Sequence, residues 1–405
     1  MTENAANRFL FWIGLLSLLL LSAGLVQAQF EIDKDALNYP GLHGSAKHAE
    51  EISIGNQEAL SFTYGAATNS INISESSEGS TMLPPVQGDI GWITGVRADG
   101  YGVILHTTNG GKKWTRQGSP NTVPNVDLAD VRAIDARSAW VVGGNDGHYG
   151  VILRTMDGGK TWIRCGAPGS VPDFGTEGIG AVDSKIAWVV GGNGTIIHTE
   201  DGGKTWVQQV SNTSAPLYKV AAIDRYNAWI IGDHDNGYAV ILRTSDGGRT
   251  WTRQGNASTV KTIGLIDVTA ADNKTAWAVG VDYAVLKTID GGASWQAQMF
   301  NSSGMAHMNG ACAIDENNAW ITQDYGVAYW TSDGGKTWNE QSPSKGFWLM
   351  SASAKSLKTV WFVGIAPWIG KGIILHTTNR GVNWTEQFAP VNVPFRRVSF
   401  VGTRS

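Results

Sequence analysis

Short apolar runs alternate with polar, glycine-rich segments from Gly91 to the end of the chain, and the alternation is periodic. Each period contains a run such as Ala139 to Gly143, in which a tryptophan is followed by small and β-branched residues. Because these runs are short and end at turn-forming residues, they predict β-strands and not helices. The tryptophans of these runs are Trp92, Trp140, Trp188, Trp229, Trp277, Trp320 and Trp361.

A second motif, Thr-x-[Asp/Asn]-x-Gly-x-x-Trp, follows each apolar run and occurs seven times. Successive copies begin 43 to 48 residues apart. The third position of this Asp-box holds Asn109, Asp157, Asp201, Asp246, Asp290, Asp333 and Asn379. A period of about 45 residues is typical of a propeller blade of four strands. The pattern therefore predicts an all-β, seven-bladed β-propeller over 89–405.

The second unit shows the expected strand order within a blade. Strands A to D are predicted at Val131 to Ile134, Ala139 to Gly143, Gly150 to Thr155 and Thr161 to Cys165. The first unit has no good strand A, but Val398 to Ser405 aligns without gaps to strand A and the following turn of the second unit. Because a propeller is stabilised by leaving no open edge between its first and last blades, the C-terminal strand is expected to complete the first blade.

The seven Asp-boxes are interpreted as structural. Asp and Asn side chains accept hydrogen bonds from turn amides, and the glycine of the motif permits a positive φ. One active site has no use for seven copies of a carboxylate or amide. The three histidines His106, His198 and His376 share one position on separate blades, so they are not expected to converge on a metal. No metal and no cofactor are predicted.

The N-terminus has the features of an export signal. Arg8 precedes an apolar run from Phe9 to Val26, and the run ends at small residues that favour cleavage after Ala28. An uncleaved N-terminal anchor is the alternative, because the run is about as long as a membrane span. The rest of the chain is expected to be extracellular, periplasmic or lumenal, with residues 29–88 as a polar tail or linker.

Charge and cysteine content narrow the function classes. The formal net charge is −4 and charged residues make up 16% of the chain, which gives no electrostatic footprint for nucleic acid or anionic lipid. Cys165 and Cys312, the two cysteines of the sequence, fall on non-adjacent blades, so no disulfide between them is expected. A monomer is expected.

The repeat from Ala187 to Gln209 resembles that of the photosystem II stability/assembly factor family, within the wider BNR/Asp-box propellers. The resemblance covers residues 91–405. It implies a seven-bladed, non-enzymatic assembly factor that binds a membrane-protein partner. It also implies a location in the thylakoid lumen for photosynthetic members.

Function is expected where the units differ from one another, in the B–C hairpins and D–A connections of one face. Tyr101, Tyr149, Tyr238 and Tyr325 share one register in the hairpins, and Trp368 lies near that register. These aromatic residues are the predicted partner-binding surface. The alternative is that the tyrosines pack against the blade ends.

A glycoside hydrolase of sialidase or xyloglucanase type is the competing hypothesis, together with a cell-surface carbohydrate-binding propeller. Its chemistry needs a proton donor and a base or nucleophile at fixed separation. Four carboxylates lie outside the repeat frame, in the two long D–A connections. They are Asp127, Asp130, Asp173 and Glu177, and the last pair gives the weak catalytic candidates Asp173 and Glu177.

Overall fold

The computed structural model describes residues 89–173, 175–260, 264–298 and 306–403, and the backbone of three earlier strands. Contacts divide the chain into two units, Met1–Pro85 and Val86–Ser405. In the first unit, strands Glu51–Ile52, Leu60–Gly65 and Ser70–Glu75 form an antiparallel sheet. The predicted signal segment, 1–28, lies outside the described residues. Among the residues that are described, no helix is long and apolar enough to cross a membrane.

The second unit is a ring of seven antiparallel sheets, each with four strands, which confirms the seven-bladed propeller. The innermost strands A of blades 1 to 7 are Phe395–Phe400, Leu128–Ala133, Thr176–Ala181, Leu217–Ala222, Leu265–Ala270, Met308–Ala313 and Trp348–Ala354. The strands B are Gly91–Ala98, Ala139–Asn145, Ala187–Gly191, Ala228–Asp235, Ala276–Gly280, Ala319–Gln323 and Val360–Ala366. The strands C are Tyr101–Thr107, Gly150–Thr155, Ile196–Thr199, Tyr238–Thr244, Val285–Thr288, Ala328–Thr331 and Lys371–Thr377. The outer strands D are Thr115–Arg116, Ile163–Arg164, Val207–Gln209, Thr252–Arg253, Gln296–Ala297, Asn339–Gln341 and Thr385–Glu386. A 3₁₀ turn, Asp324–Gly326, joins strands B and C of blade 6.

The hydrophobic core lies between neighbouring blades. Strands B and C are apolar on both faces, so each sheet packs against the sheet before it and the sheet after it. Between blades 2 and 3, for example, Trp140 and Ile152 pack with Ile179 and Trp206. All seven strand B tryptophans are fully buried. The period-two alternation of a one-sided sheet is therefore absent from these strands.

The C-terminal strand completes blade 1, as the sequence alignment predicts. Val398 pairs with Ile93 of strand B in the way that Val131 pairs with Val141 in blade 2. Phe395 and Phe400 of this strand are fully buried between blades 7 and 1. The ring of Phe400 stacks on Trp361 with 3.7 Å between ring centroids.

The Asp-box side chains hold the C–D turns. In blade 2, Asp157 accepts a hydrogen bond of 2.9 Å from the Thr155 hydroxyl and another of 2.9 Å from the Thr161 amide. Gly159 has a φ of 84°, and a Cβ there would lie 2.5 Å from Oε1 of Gln117. Gln117 directly follows strand D of the preceding blade, so this glycine is required both by the turn and by the contact between blades.

In three blades a glutamine at or directly after the end of strand D bonds to the Asp-box turn of the next blade, and these glutamines are Gln209, Gln341 and Gln387. Gln209 accepts from the Trp251 indole at 2.9 Å and donates to the Gly247 carbonyl at 3.0 Å. Gln387 makes the equivalent pair of bonds from blade 7 to blade 1. Cys165 occupies this position between blades 2 and 3, where its Sγ would lie 3.0 Å from a Cβ on Gly203. Burial raises the pKa of the Cys165 thiol to about 11.

The three equivalent histidines are structural, and they give the propeller a dependence on pH. His106 stacks on Trp92 at 4.4 Å, and His198 and His376 stack on their own strand B tryptophans. Burial lowers the pKa of His106 from 6.5 to about 4, and it also lowers the pKa values of His198 and His376. The unfolded chain therefore binds protons before the folded chain does, so stability falls as the pH drops from 6.5 towards 4.

Replacement of His106 by Arg is expected to remove part of this acid sensitivity, by up to about 3 kcal/mol between pH 7 and pH 4. Arg fits the position because Arg243 lies over the Trp229 ring at the same register, 4.2 Å from its centroid. The free energy of unfolding in urea at the two pH values measures the effect. His148→Arg, at an exposed hairpin position, is the control. An unchanged pH dependence in His106→Arg would contradict the assignment.

Candidate functional site

The candidate site is the face that carries the B–C hairpins and D–A connections, which we name the loop face. The A–B turns and the Asp-boxes occupy the opposite face, because successive strands of each blade run antiparallel. The B–C hairpins and D–A connections of the loop face differ in length and sequence from blade to blade. The regular face therefore serves the fold, and the irregular face is free to carry a specific function.

In blades 1, 2 and 4, the hairpin tyrosine lies beneath an arginine from strand D. The guanidinium of Arg116 is 3.7 Å from the ring centroid of Tyr101. The corresponding distances are 4.2 Å for Arg164 over Tyr149 and 4.5 Å for Arg253 over Tyr238. All three tyrosine rings are partly buried. Each such pair gains roughly 0.5–2 kcal/mol from the attraction between the cation and the ring face.

The same arginines also fix the hairpin backbone and a hairpin carboxylate. Arg164 pairs with Asp146 at 2.8 Å and donates to the carbonyl of Tyr149 at 3.0 Å. Arg116 pairs with Asp99 at 2.6 Å. In blade 7 an ion pair replaces the pair of arginine and tyrosine. Lys371 occupies the position of the tyrosine, Glu386 occupies that of the strand D arginine, and the two lie 3.3 Å apart. Tyr101, Tyr149 and Tyr238 therefore help to stabilise their hairpins, and their part in binding stays a prediction.

Large apolar side chains extend into solvent from blades 6 and 7. Tyr325 is 60% exposed in a backbone conformation with a φ of 63°. Trp368 is 86% exposed and Ile369 is 74% exposed at the tip of the blade 7 hairpin. Phe388 is 83% exposed in the connection that follows strand D of the same blade. We name Trp368, Ile369 and Phe388 the blade 7 apolar group.

The four carboxylates outside the repeat frame differ in their surroundings. Asp127 pairs with Arg396 at 3.2 Å and lies 3.7 Å from Arg97. Asp173 and Glu177 are both exposed, and the backbone carbonyl of Asp173 accepts a hydrogen bond from the Asn145 amide. Asp127 lines a polar groove of about 560 Å³ between blades 1 and 2, together with Asn125, Asn145 and Asp146.

Two buried ion pairs cross the central channel. Lys219 of blade 4 donates to both carboxylate oxygens of Asp130 of blade 2, at 2.8 and 2.9 Å. Arg397 of blade 1 pairs with Asp267 of blade 5 at 3.1 Å. Each carboxylate also accepts a hydrogen bond from a backbone amide of the next blade. The donor to Asp130 is the amide of Ile179, and the donor to Asp267 is the amide of Ala311. Asp130 therefore has a structural role, and the channel carries paired charges at this level.

The described part of the chain contains no group of three His, Cys, Asp or Glu side chains that could hold a metal ion. One further polar cluster lies on the loop face. Tyr218 donates to Asp233 at 3.2 Å, and His234 lies 2.8 Å from the same carboxylate. Burial, followed by the Asp233 charge, raises the pKa of Tyr218 to about 12, so this hydroxyl is a poor nucleophile at neutral pH.

Sequence reasoning missed the cross-channel pairs and Phe388. In the sequence, Arg116, Arg164 and Arg253 stand out only as cations repeated at one position of the unit. A signal for their pairing with the hairpin tyrosines is present, because strand D carries an arginine in the three blades whose long hairpin carries the tyrosine. Phe388 has no such signal, since a single aromatic residue in a loop is as compatible with burial as with exposure.

Comparisons with known proteins match part of the sequence to one family and the fold to two solved structures described by the same name. The family model described as photosynthesis system II assembly factor YCF48 matches residues 164–238 and 236–346. The structure of YCF48 bound to D1 peptide is 19% identical, covers 69% of this chain and 93% of that chain, and has a TM-score of 0.53. YCF48 from Cyanidioschyzon merolae is 19% identical, covers 74% of this chain and 98% of that chain, and has a TM-score of 0.54. The GH74 enzyme of Niastella koreensis is 14% identical over 78% of this chain and 68% of that chain, with a TM-score of 0.44, which supports no catalytic assignment. No curated protein sequence matches the chain.

Proposed function

Because residues 164–346 match the family model of the photosystem II assembly factor YCF48, we propose that this chain is an exported, non-enzymatic assembly factor of that kind, which docks a protein partner on its loop face. The family relationship supports a protein-binding role, since one relative of the same fold is described as bound to D1 peptide. The proposed partner is accordingly a segment of a membrane-protein complex. Export, which the N-terminal segment predicts, is part of the same proposal.

The observation that carries the proposal is the exposure of the blade 7 apolar group. Its three side chains are each at least 74% exposed. Large apolar and aromatic side chains exposed to water are costly for a monomer, and such side chains are common at the centres of protein interfaces. A small-molecule enzyme would instead be expected to enclose its substrate in a cleft with a few convergent polar groups.

Replacement of Trp368 and Phe388 by Ala, together with Ile369 by Ser, is expected to lower partner recovery by at least tenfold in a pull-down with the full chain. The reason is that buried aromatic anchors contribute about 2 kcal/mol or more each to such interfaces. The control replaces Val207 by Ser, because Val207 is 64% exposed in the outer strand D of blade 3. Equal recovery by both variants would rule out blade 7 as the docking surface. Tyr101, Tyr149 and Tyr238 are left unchanged, because their removal would also loosen the hairpins.

The glycosidase hypothesis makes a different prediction. Assay with a fluorogenic sialoside and with xyloglucan is expected to give no turnover above that of the Asp173→Asn, Glu177→Gln double variant. Turnover that the double variant abolishes would overturn the non-enzymatic proposal. Binding in a glycan array without turnover would favour the carbohydrate-binding alternative.

A further inference from the structure

A second ring of inward-facing positions lies on strands A, two residues beyond the cross-channel ion pairs. From blade 1 to blade 7 these positions hold Ser399, Arg132, Gly180, Ala221, Thr269, Cys312 and Ser353. In four blades the side chain accepts a backbone amide from strand A of the next blade, at 3.0 to 3.1 Å. These bonds run from Ala133 to Ser399, from Ala313 to Thr269, from Ala354 to Cys312 and from Phe400 to Ser353.

The pattern stops at three consecutive positions. Arg132 is a donor only, and Gly180 and Ala221 have no polar side chain. The amides that would be capped there belong to Ala181, Ala222 and Ala270. Among the residues that the structure describes, none provides a side-chain acceptor for these three amides.

The direction of these amides follows from the strand pairing. Ile223 donates to the carbonyl of Asn227 on strand B, and amides alternate in direction along a strand. The amide of Ala222 therefore points away from strand B, towards the channel. A Cβ at Gly180 would lie 3.1 Å from this nitrogen, where the other blades place their acceptor. Val182 and Ala271 make the bond that corresponds to that of Ile223, so Ala181 and Ala270 have the same orientation.

A cavity of about 110 Å³ lies at this break in the ring. Arg132, Gly180, Ala221, Ala222, Thr269 and Ala270 are among its lining residues. The guanidinium of Arg132 is positioned by a bond of 3.2 Å to the carbonyl of Thr403. Its positive charge also reaches Cys312, where it opposes the burial that raises the pKa of that thiol to about 12.

We propose that this cavity is a binding site for a small oxyanion, of the carboxylate or phosphate class. Inward-pointing amides on three neighbouring strands provide donors, and Arg132 provides a permanent positive charge and a planar group suited to both oxyanions. Ala181 and Ala270 are buried and Ala222 is half-buried, and buried backbone amides are almost always paired, so an acceptor in this part of the channel would be favoured. The cavity has room for a few waters or for one such ion, since a water takes up about 30 Å³ of the liquid.

The test is a titration of the full chain with inorganic phosphate and, separately, with acetate. Isothermal calorimetry is expected to show saturable binding of at least one of them at one site. In ¹⁵N spectra the amide signals of Ala181, Ala222 and Ala270 are expected to move together as the site fills. Arg132→Gln is expected to weaken binding at least tenfold.

Ala221→Ser is a second variant, which installs the acceptor that the other blades use and is expected to weaken binding about threefold or more. Arg137→Gln, which changes an exposed cation four residues after strand A of blade 2, is the matched control and is expected to leave binding unchanged. Binding of neither ion would overturn the proposal. It would also be overturned by equal binding in all variants, or by amide shifts confined to surface residues, which would indicate water in the cavity and nonspecific ion association.

Discussion

Deletion of residues 395–405 is expected to abolish the cooperative unfolding transition of the propeller. The deletion removes strand A of blade 1, and with it three side chains that are at most 1% exposed, Phe395, Val398 and Phe400. It leaves Gly91–Ala98 as an unpaired edge and exposes the apolar faces of blades 7 and 1. Exposed strand edges next to apolar surface favour aggregation. Heat and urea denaturation, followed by tryptophan fluorescence, measure the loss.

A single substitution in the C-terminal strand is expected to destabilise the propeller without abolishing its folding. Phe400→Ala is expected to lower the free energy of unfolding by about 3–5 kcal/mol, because it leaves a cavity between Trp361 and Trp114. Phe388→Ala is the control, since Phe388 lies in the connection that leads into the same strand but is 83% exposed. It is expected to change stability by no more than about 0.5 kcal/mol. Similar losses in the two variants would mean that the terminal strand does not hold the ring closed.

The sequence predicts the architecture well because the repeat constrains every blade in the same way. Strand C of blade 2 has its predicted bounds, whereas strand A begins at Leu128 and not at Val131. The earlier start depends on a bulge between Leu128 and Asp130, which no local pattern reveals. Strand D is shorter than predicted, because Trp162 packs into the core between blades 1 and 2 and leaves the pairing to Ile163–Arg164.

The functional features are less predictable because they depend on contacts between distant residues. Asp130 and Lys219 are 89 positions apart and meet across the channel, and the sequence offers Asp130 only as a loop acid. The tyrosine register was visible, but the arginine above each ring reveals a stabilising role that a register cannot show. The exposure of Trp368 also depends on where its hairpin ends relative to its neighbours.

Lys219→Met is expected to lower the free energy of unfolding by about 3–5 kcal/mol. The side chain of Asp130 is 1% exposed, so removal of the lysine leaves its carboxylate buried with only the amides of Val131 and Ile179 as donors. The double variant Lys219→Met, Asp130→Asn is expected to recover much of the loss, because the uncompensated charge is gone and an acceptor oxygen is kept. Urea denaturation of the single and double variants measures both effects.

An exposed ion pair is the control that distinguishes the cost of burying an unpaired charge from the loss of the ion pair itself. Arg225 and Glu200 lie 3.6 Å apart with side chains 54% and 60% exposed, so Arg225→Met is expected to cost no more than about 1 kcal/mol. If Lys219→Met cost as little as this, the channel would be open to water and Asp130 would not depend on its partner. A double variant as unstable as the single one would instead show that the lysine stem, and not its charge, stabilises the ring. Recovery in the double variant alone would identify the Lys219–Asp130 pair as a buried charge that the closed ring must neutralise.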